Sequence, residues 1–163
     1  EANLLGQKNE VALLKLLFLS KDSFDESKID HIIFGSGISA FELEDLLIQR
    51  NFNKVLKTIS YMREQDRQSS APIIWIISKV INSCLESLKA KDKKSALIKS
   101  GVWSSKINLY LELVKQAKTK DFLKLNEEIL KIDLINKGLI KADAWEQIDS
   151  LVLKLQDATA LQT

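Results

Sequence analysis

Few side chains in this sequence have the types and spacing that catalysis or metal binding requires. His31 is the only histidine and Cys84 the only cysteine, which excludes a two-histidine metal site and an intramolecular disulfide. We expect a surface or helix-cap position for His31. Cys84 lies in a strongly apolar segment, which predicts a small core residue and not a reactive thiol. A lone cysteine also suits a reducing compartment.

Two pairs of carboxylates could in principle serve acid–base chemistry. Glu42 and Asp45 are three residues apart and share a helix face. Glu42 also fits the last position of a Ser39-Ala40-Phe41-Glu42 capping box, and we favour that structural interpretation. Glu127 and Glu128 are adjacent, so they face different directions on a helix. With no glycine-rich phosphate loop and no serine nucleophile elbow, we predict no catalytic, cofactor-binding or metal-binding residue and no enzyme activity for this chain by itself.

The main charge feature is a lysine-rich connector between Lys89 and Lys106, in which Asp92 is the only acid. Lysine clusters can bind phosphates, and Lys91, Lys93 and Lys94 are the candidate DNA contacts. The connector lacks interleaved aromatic residues for base stacking. A solvated loop between helices explains it equally well.

The three tryptophans carry more information about the fold. Trp75, Trp103 and Trp145 fall in separate helical regions, and we expect burial for each because tryptophan is costly to expose. Trp103 follows a glycine at a junction, where an aromatic residue can also anchor a partner. We therefore name Trp103 as a candidate for partner binding, together with Lys106 and Tyr110 in the same segment.

Apolar residues recur at helical spacing along the whole chain, which indicates an all-α fold. One proline and five glycines in 163 residues also favour long helices. Pro72 suits the first turn of a helix that is apolar nearly all round, and such a helix is expected to be central. The polar run 64–70 predicts a loop. The spacing predicts helices over about residues 2–19, 29–33, 39–48, 52–62, 71–89, 96–99, 107–117, 119–132 and 145–155, with a frayed tail over 158–163.

Composition narrows the class of protein further. Hydrophobic residues make up 45% and charged residues 28% of the chain, the usual balance of a globular protein. The formal charge of +2 gives no overall field that would favour nucleic acid or membrane. No segment approaches the roughly 18 uninterrupted apolar residues that span a bilayer. The chain opens Glu1-Ala2-Asn3, without an initiator methionine or signal segment, and we interpret it as a piece of a longer polypeptide.

Six segments form an ordered pattern along nearly the whole chain. They are Glu1-Ala2-Asn3-Leu4-Leu5-Gly6-Gln7, Phe41-Glu42-Leu43-Glu44-Asp45-Leu46-Leu47, Val55-Leu56-Lys57-Thr58-Ile59, Pro72-Ile73-Ile74-Trp75, Val102-Trp103-Ser104-Ser105-Lys106 and Ala144-Trp145-Glu146-Gln147-Ile148. In order and spacing the pattern resembles the C-terminal half of the delta subunit of the bacterial DNA polymerase III clamp loader. The V-W-x-x-[RK] junction at Val102–Lys106 is its most telling part. The family often continues there with arginine-rich sequence, whereas this chain has Ile107-Asn108-Leu109-Tyr110, so no basic contact is carried over.

The resemblance implies a three-helix AAA+-type lid over residues 1–37 and a helical-bundle collar over residues 38–163. In the family, collars of delta, delta-prime and gamma/tau pack into a ring, and delta has no working ATP site. Delta opens the sliding clamp through an N-terminal domain that we expect outside this sequence. These features imply a non-catalytic subunit of a polymerase holoenzyme in the bacterial cytoplasm, within the nucleoid-associated replisome. Its partners would be gamma/tau and delta-prime, with DNA contacted indirectly and no membrane.

Two alternatives remain open. One is a helical nucleic-acid-binding domain that uses the Lys89–Lys106 connector. The other is a small helical enzyme, which would need a buried polar pocket with perturbed carboxylates.

Overall fold

The structure, a computed structural model, describes residues 38–65 and 70–160. Within these ranges the backbone forms α-helices and no strand, which confirms the all-α class. The lid predicted over residues 1–37, the two helices predicted there and His31 lie outside the described residues. The described helices are α1 (Ile38–Ile48), α2 (Phe52–Gln65), α3 (Ala71–Lys89), α4 (Lys93–Lys99), α5 (Ile107–Leu113), α6 (Thr119–Asn136) and α7 (Ala144–Ala158).

The described residues from Ala40 onward belong to one compact unit. Helix α3 packs against α4 and α6, α6 packs against α7, α7 packs against α2, and α4 packs against α5. The prediction that α3 is central is confirmed, because most of its side chains are buried. The prediction that Cys84 is a core residue is confirmed as well. The buried residues of α3 are Ile73, Ile74, Ile76, Ile77, Val80, Ile81, Ser83, Cys84, Leu85 and Ser87.

Helix α3 is long and apolar enough to cross a membrane by length and composition alone. However, 56% of its apolar stretch is buried inside the fold. A buried apolar helix is typical of a protein core. The sequence explains where α3 starts, because Pro72 lies in its first turn. Backbone N–H groups of the first turn have no intrahelical acceptor, so proline loses no hydrogen bond there. The Ser70 hydroxyl also donates to Asn136 Oδ1 over 2.6 Å, so the start of α3 lies beside the end of α6.

Several helix ends differ from the predicted ones. Helix α1 already begins at Ile38, so Ser39 lies inside it and the predicted capping box is wrong. Helix α2 continues through Gln65, into the run that was predicted to be a loop. Helix α4 starts earlier than predicted, because the Asp92 carboxylate accepts from the backbone N–H of Ser95 over 3.0 Å and caps the helix. The lysine connector is therefore partly helical.

The ends of the last three helices also need correction. Helix α5 stops at Leu113, four residues before the predicted end at Ala117. In α6 the N-cap residue is Lys118, and Thr119 is the first helical residue instead of the cap. The predicted frayed tail is wrong at Thr159, which is buried and whose hydroxyl donates to the Leu155 carbonyl over 2.8 Å. A side-chain bond back to the preceding turn thus closes α7.

The turn after α1 has an unusual backbone. Arg50 has φ = 59°, in the left-handed region that suits glycine better than arginine. The N–H of Asn51 donates to the Leu46 carbonyl over 2.9 Å, as in the Schellman motif that ends many helices. The Arg50 guanidinium donates to the carbonyls of Glu112 and Leu113 at the end of α5. These bonds hold the α1–α2 turn against α5.

Candidate functional site

The most developed polar cluster in the described residues centres on Glu44, a carboxylate that is only 2% exposed on α1. The Tyr110 hydroxyl donates to Glu44 Oε1 over 2.8 Å. Lys79 Nζ lies 3.0 Å from Oε1, and Lys106 Nζ lies 3.1 Å from Oε2. Lys106 also contacts Asp45 Oδ1 at 2.5 Å. We call these five residues the Glu44 cluster. It joins α1, α3 and the start of α5.

The charges within the Glu44 cluster shift one another's ionisation. Burial alone would raise the pKa of Glu44, but hydrogen bonds from Tyr110, Lys79 and Lys106 outweigh it and lower that pKa below its ordinary value. Burial would likewise lower the pKa of Lys106, whereas its contacts with Asp45 and Glu44 raise it. Burial, followed by the Glu44 contact, raises the pKa of Tyr110. The cluster therefore favours an ionised carboxylate, a charged lysine and a neutral phenol.

The Glu44 cluster is suited to holding helices together and not to proton transfer. A general acid or base needs a pKa near the working pH. In the Glu44 cluster the pKa of Glu44 is lowered and those of Lys106 and Tyr110 are raised, so all three move away from neutral pH. The partners of Glu44 also occupy both carboxylate oxygens. A catalytic use of the buried carboxylate therefore has no support from the geometry.

The predicted partner-binding residues fall into different environments. Trp103 is 68% exposed, so its expected burial is wrong, and partner binding there stays a prediction. Lys106 is half-buried, and the Glu44 cluster occupies its ammonium group. Tyr110 is fully buried, so the prediction that it contacts a partner needs correction. Its ring completes the core, and its hydroxyl satisfies Glu44.

A tight turn explains why Trp103 points outward. Gly101 has φ = 78° after α4, and the N–H of Val102 donates to the Leu97 carbonyl over 3.1 Å. Val102 is buried, which anchors the chain just before the tryptophan. The N–H of Lys106 then donates to the Trp103 carbonyl over 2.9 Å. Trp103 thus lies on a short turn that is fixed to the bundle on both sides.

The candidate DNA contacts Lys91, Lys93 and Lys94 are all exposed. None of the three takes part in an ion pair within the described part of the chain. The only acid of the connector, Asp92, caps α4. The positive charges of the three lysines are available to solvent, and DNA contact at these lysines stays a prediction.

Expected burial is confirmed for one of the other two tryptophans and wrong for the second. Trp145 is buried, with the Arg63 guanidinium 5.4 Å from its ring centroid, and Arg63 also pairs with Asp149. These contacts join α2 to α7. Trp75 is 59% exposed, because it lies on the one polar side of α3, with Asn82 and Glu86.

An apolar stripe that the sequence pattern did not predict lies on the outer side of α6. Leu123, Leu130 and Leu134 are exposed, and at 100° per residue they lie within roughly 40° of one another around the helix. Leu139 follows the Gly138 turn, its N–H donates to the Leu134 carbonyl over 2.9 Å, and it is also exposed. We call these four residues the leucine stripe. The side of α6 with Phe122, Leu125, Ile129 and Ile132 points into the core.

Within each carboxylate pair considered for acid–base chemistry, one member is exposed and the other contacts a lysine. Glu42 is exposed, whereas Asp45 contacts Lys106. Glu127 is exposed, and Glu128 pairs with Lys154 at 2.8 Å, which links α6 to α7. Among the described residues, no group of three histidine, cysteine, aspartate or glutamate side chains could hold a metal ion.

Comparison with known proteins gives no match. No family model, curated protein or solved structure matches this chain.

Proposed function

We propose that this chain is the lid and collar part of a clamp-loader delta subunit, which assembles with gamma/tau and delta-prime in sliding-clamp loading. The collar would be the helical unit over residues 38–163. The chain would act as a scaffold in the bacterial replisome and would carry out no catalytic step itself. Clamp binding would belong to the N-terminal domain of the whole subunit.

The observation that carries the proposal is the set of large apolar side chains exposed by the described unit. Trp75, Trp103 and the leucine stripe are exposed. They are separate from the buried core, which other apolar residues form. Exposed apolar patches mark protein–protein contact sites, and these side chains are among the apolar groups that the described unit offers to a partner. Trp103 is exposed on a turn whose backbone is held at Val102 and Lys106, and tryptophan is enriched among the residues that anchor interfaces.

The ordered motifs support the same proposal. Phe41–Leu47 lies on α1, Val55–Ile59 on α2, and Pro72–Trp75 in the first turns of α3. The V-W-x-x-K junction is the turn between α4 and α5, and Ala144–Ile148 opens α7. Each of these five segments lies at a helix start, on a helix or at a junction, whereas Glu1–Gln7 lies outside the described residues.

Co-elution with purified gamma/tau and delta-prime in size-exclusion chromatography tests the proposal. The chain is expected to elute in the complex, and Trp103→Ala is expected to weaken that association without unfolding the chain. Leu153→Ala, at another exposed apolar residue that is outside the Trp103 turn, is the matched control. Failure to co-elute under conditions in which a complete delta subunit assembles would overturn the proposal.

A second candidate function is nucleic-acid binding through the lysine connector. It is favoured by the exposure of Lys91, Lys93 and Lys94 without ion-pair partners among the described residues. Binding through these lysines would weaken steeply with salt, because phosphate contacts release counterions. Lys93→Glu with Lys94→Glu should then abolish DNA binding in a fluorescence anisotropy titration, whereas Lys54→Glu with Lys57→Glu on α2 should not. Salt-independent binding, or no binding at low salt, excludes this function.

A further inference from the structure

The helical leucines of the stripe, Leu123, Leu130 and Leu134, lie on one side of α6 instead of being scattered around it. From Leu123 to Leu134 the stripe extends about 16 Å along the helix axis, at 1.5 Å per residue. Leu139 follows at the Gly138 turn, where its N–H donates to the Leu134 carbonyl, and it is exposed beyond the end of the helix. The opposite side of α6 is already buried against α3 and α7. The helix therefore has two apolar sides, and only one is occupied within the described unit.

One border of the stripe has a distinct charge. Lys120, Lys124 and Lys131 are exposed along it, and Glu127 is its one acid, which leaves a formal charge of +2 from three lysines and one glutamate. None of these four residues forms an ion pair within the described ranges. On the other border Lys137 pairs with Asp133 at 2.6 Å, so that side is neutralised internally.

This distribution of charge favours one kind of partner for the stripe. In an antiparallel two-fold pairing of α6 with a second copy, the lysine border of one helix would face that of the other. A parallel pairing would place the lysines opposite a border whose charges are already paired. Like charges across an interface are unfavourable, and opposite charges set the choice of partner helix. A helix that carries acidic residues next to its apolar side would instead place carboxylates opposite the unpaired lysines.

We propose that the leucine stripe is the docking face for a partner helix that is apolar along one side and acidic beside it. The leucines of the two helices interlock, and carboxylates of the partner pair with Lys120, Lys124 and Lys131. The inference rests on the proposed role in assembly and adds the chemistry of the partner segment.

Two synthetic amphipathic peptides test this pairing. They share leucines at heptad positions a and d, and differ in carrying glutamate or lysine at positions e and g. Fluorescence anisotropy titration with the full chain should show that the acidic peptide binds at least about tenfold more tightly. Combined Lys120→Glu, Lys124→Glu and Lys131→Glu should reverse that order, and added salt should weaken the binding of the acidic peptide.

Single substitutions locate the binding face. Leu130→Asp should abolish peptide binding, whereas Leu153→Asp, at a leucine of similar exposure on α7, should leave it unchanged. Circular dichroism checks that both variants are folded. Equal affinity for the two peptides, no binding of either, or equal loss in the Leu153 variant would overturn the proposal. A dimer in sedimentation analysis that Leu130→Asp dissociates would instead identify a second copy as the occupant.

The outcomes also separate this inference from the proposed function. Co-elution with gamma/tau and delta-prime without preference for the acidic peptide would refute only the docking inference. Preference for the acidic peptide without co-elution would refute only the clamp-loader assignment.

Discussion

Replacing Glu44 by glutamine preserves the shape of the buried side chain and removes its charge. The amide can still accept a hydrogen bond from Tyr110, but Lys79 and Lys106 lose the carboxylate that lies 3.0 Å and 3.1 Å from them. Breaking a buried ion pair costs about 3–5 kcal/mol. Both lysines retain some solvent contact, and Lys106 keeps Asp45. We therefore expect Glu44→Gln to lower the free energy of unfolding by about 2–4 kcal/mol at neutral pH.

Urea denaturation followed by far-ultraviolet circular dichroism measures this loss. Glu86→Gln is the matched control, because Glu86 is an exposed glutamate whose contact with Lys89 lies at the surface. We expect that control to change the free energy of unfolding by less than about 0.5 kcal/mol. Equal effects of the two substitutions would refute the reasoning that the Glu44 cluster stabilises the bundle.

The pH dependence provides a second test of the same variant. The folded state lowers the pKa of Glu44, so the unfolded chain takes up a proton first as the solution is acidified. The stabilisation from Glu44 is therefore complete above its ordinary pKa of 4.5 and is lost as pH falls through the lowered folded value. The stability gap between wild type and Glu44→Gln should be constant near neutral pH and narrow in acid. A gap that stays constant into strong acid would contradict the assignment.

Three further predictions concern the packing of the bundle. Ile76→Ala should lower the free energy of unfolding by about 2–5 kcal/mol in urea denaturation, whereas Trp75→Ser at the exposed neighbouring position should cost less than about 1 kcal/mol. The Cys84 thiol should not react with a disulfide reagent until the chain unfolds, because it is fully buried and burial raises its pKa; reaction as fast as that of a free thiol would contradict this placement. A double-mutant cycle of Arg63→Ala and Asp149→Asn should give a favourable coupling energy of up to about 1 kcal/mol, and additive effects would show that the ion pair does not stabilise the α2–α7 contact.

The helices and the central position of α3 could be predicted because the buried side of a helix carries apolar residues at a spacing of three and four. Phe122, Leu125, Ile129 and Ile132 repeat at the spacing of one helix face, and they do form the buried side of α6. Helix ends were less predictable, because they depend on single side chains. The start of α4 is set by the Asp92 carboxylate and the end of α7 by the Thr159 hydroxyl.

The candidate surface residues were harder to predict, since apolar residues occur on inner and outer sides alike. Trp75 belongs to a run of isoleucines that conceals its exposure, and the polar residues Asn82 and Glu86 on the same side of α3 are the signal that indicates it. The leucine stripe was missed for the same reason: periodicity of the core side of α6 does not reveal that the opposite side is also apolar. The signal for the stripe is the spacing of Leu123, Leu130 and Leu134, seven and four residues apart, which places them on one side of a helix.

Glu44 did leave a signal in the sequence. It is three and four residues before Leu47 and Ile48, so it shares the helix face that these core residues occupy. A charged residue on a buried face needs partners, but one sequence cannot show which basic side chains the tertiary fold brings near. Lys79 and Lys106 are 35 and 62 residues away along the chain.

The Glu44 cluster gives the V-W-x-x-K junction a physical basis. Val102 anchors the turn in the core, and the N–H of Lys106 closes it on the Trp103 carbonyl. The ammonium group of Lys106 then bonds Glu44 and Asp45 on α1. The lysine three residues after the tryptophan therefore fixes the turn both through its backbone and through its side chain. Trp103 thus lies on a turn whose backbone is held to the bundle and is 68% exposed, and tryptophan is among the residues that contribute most to interface energies.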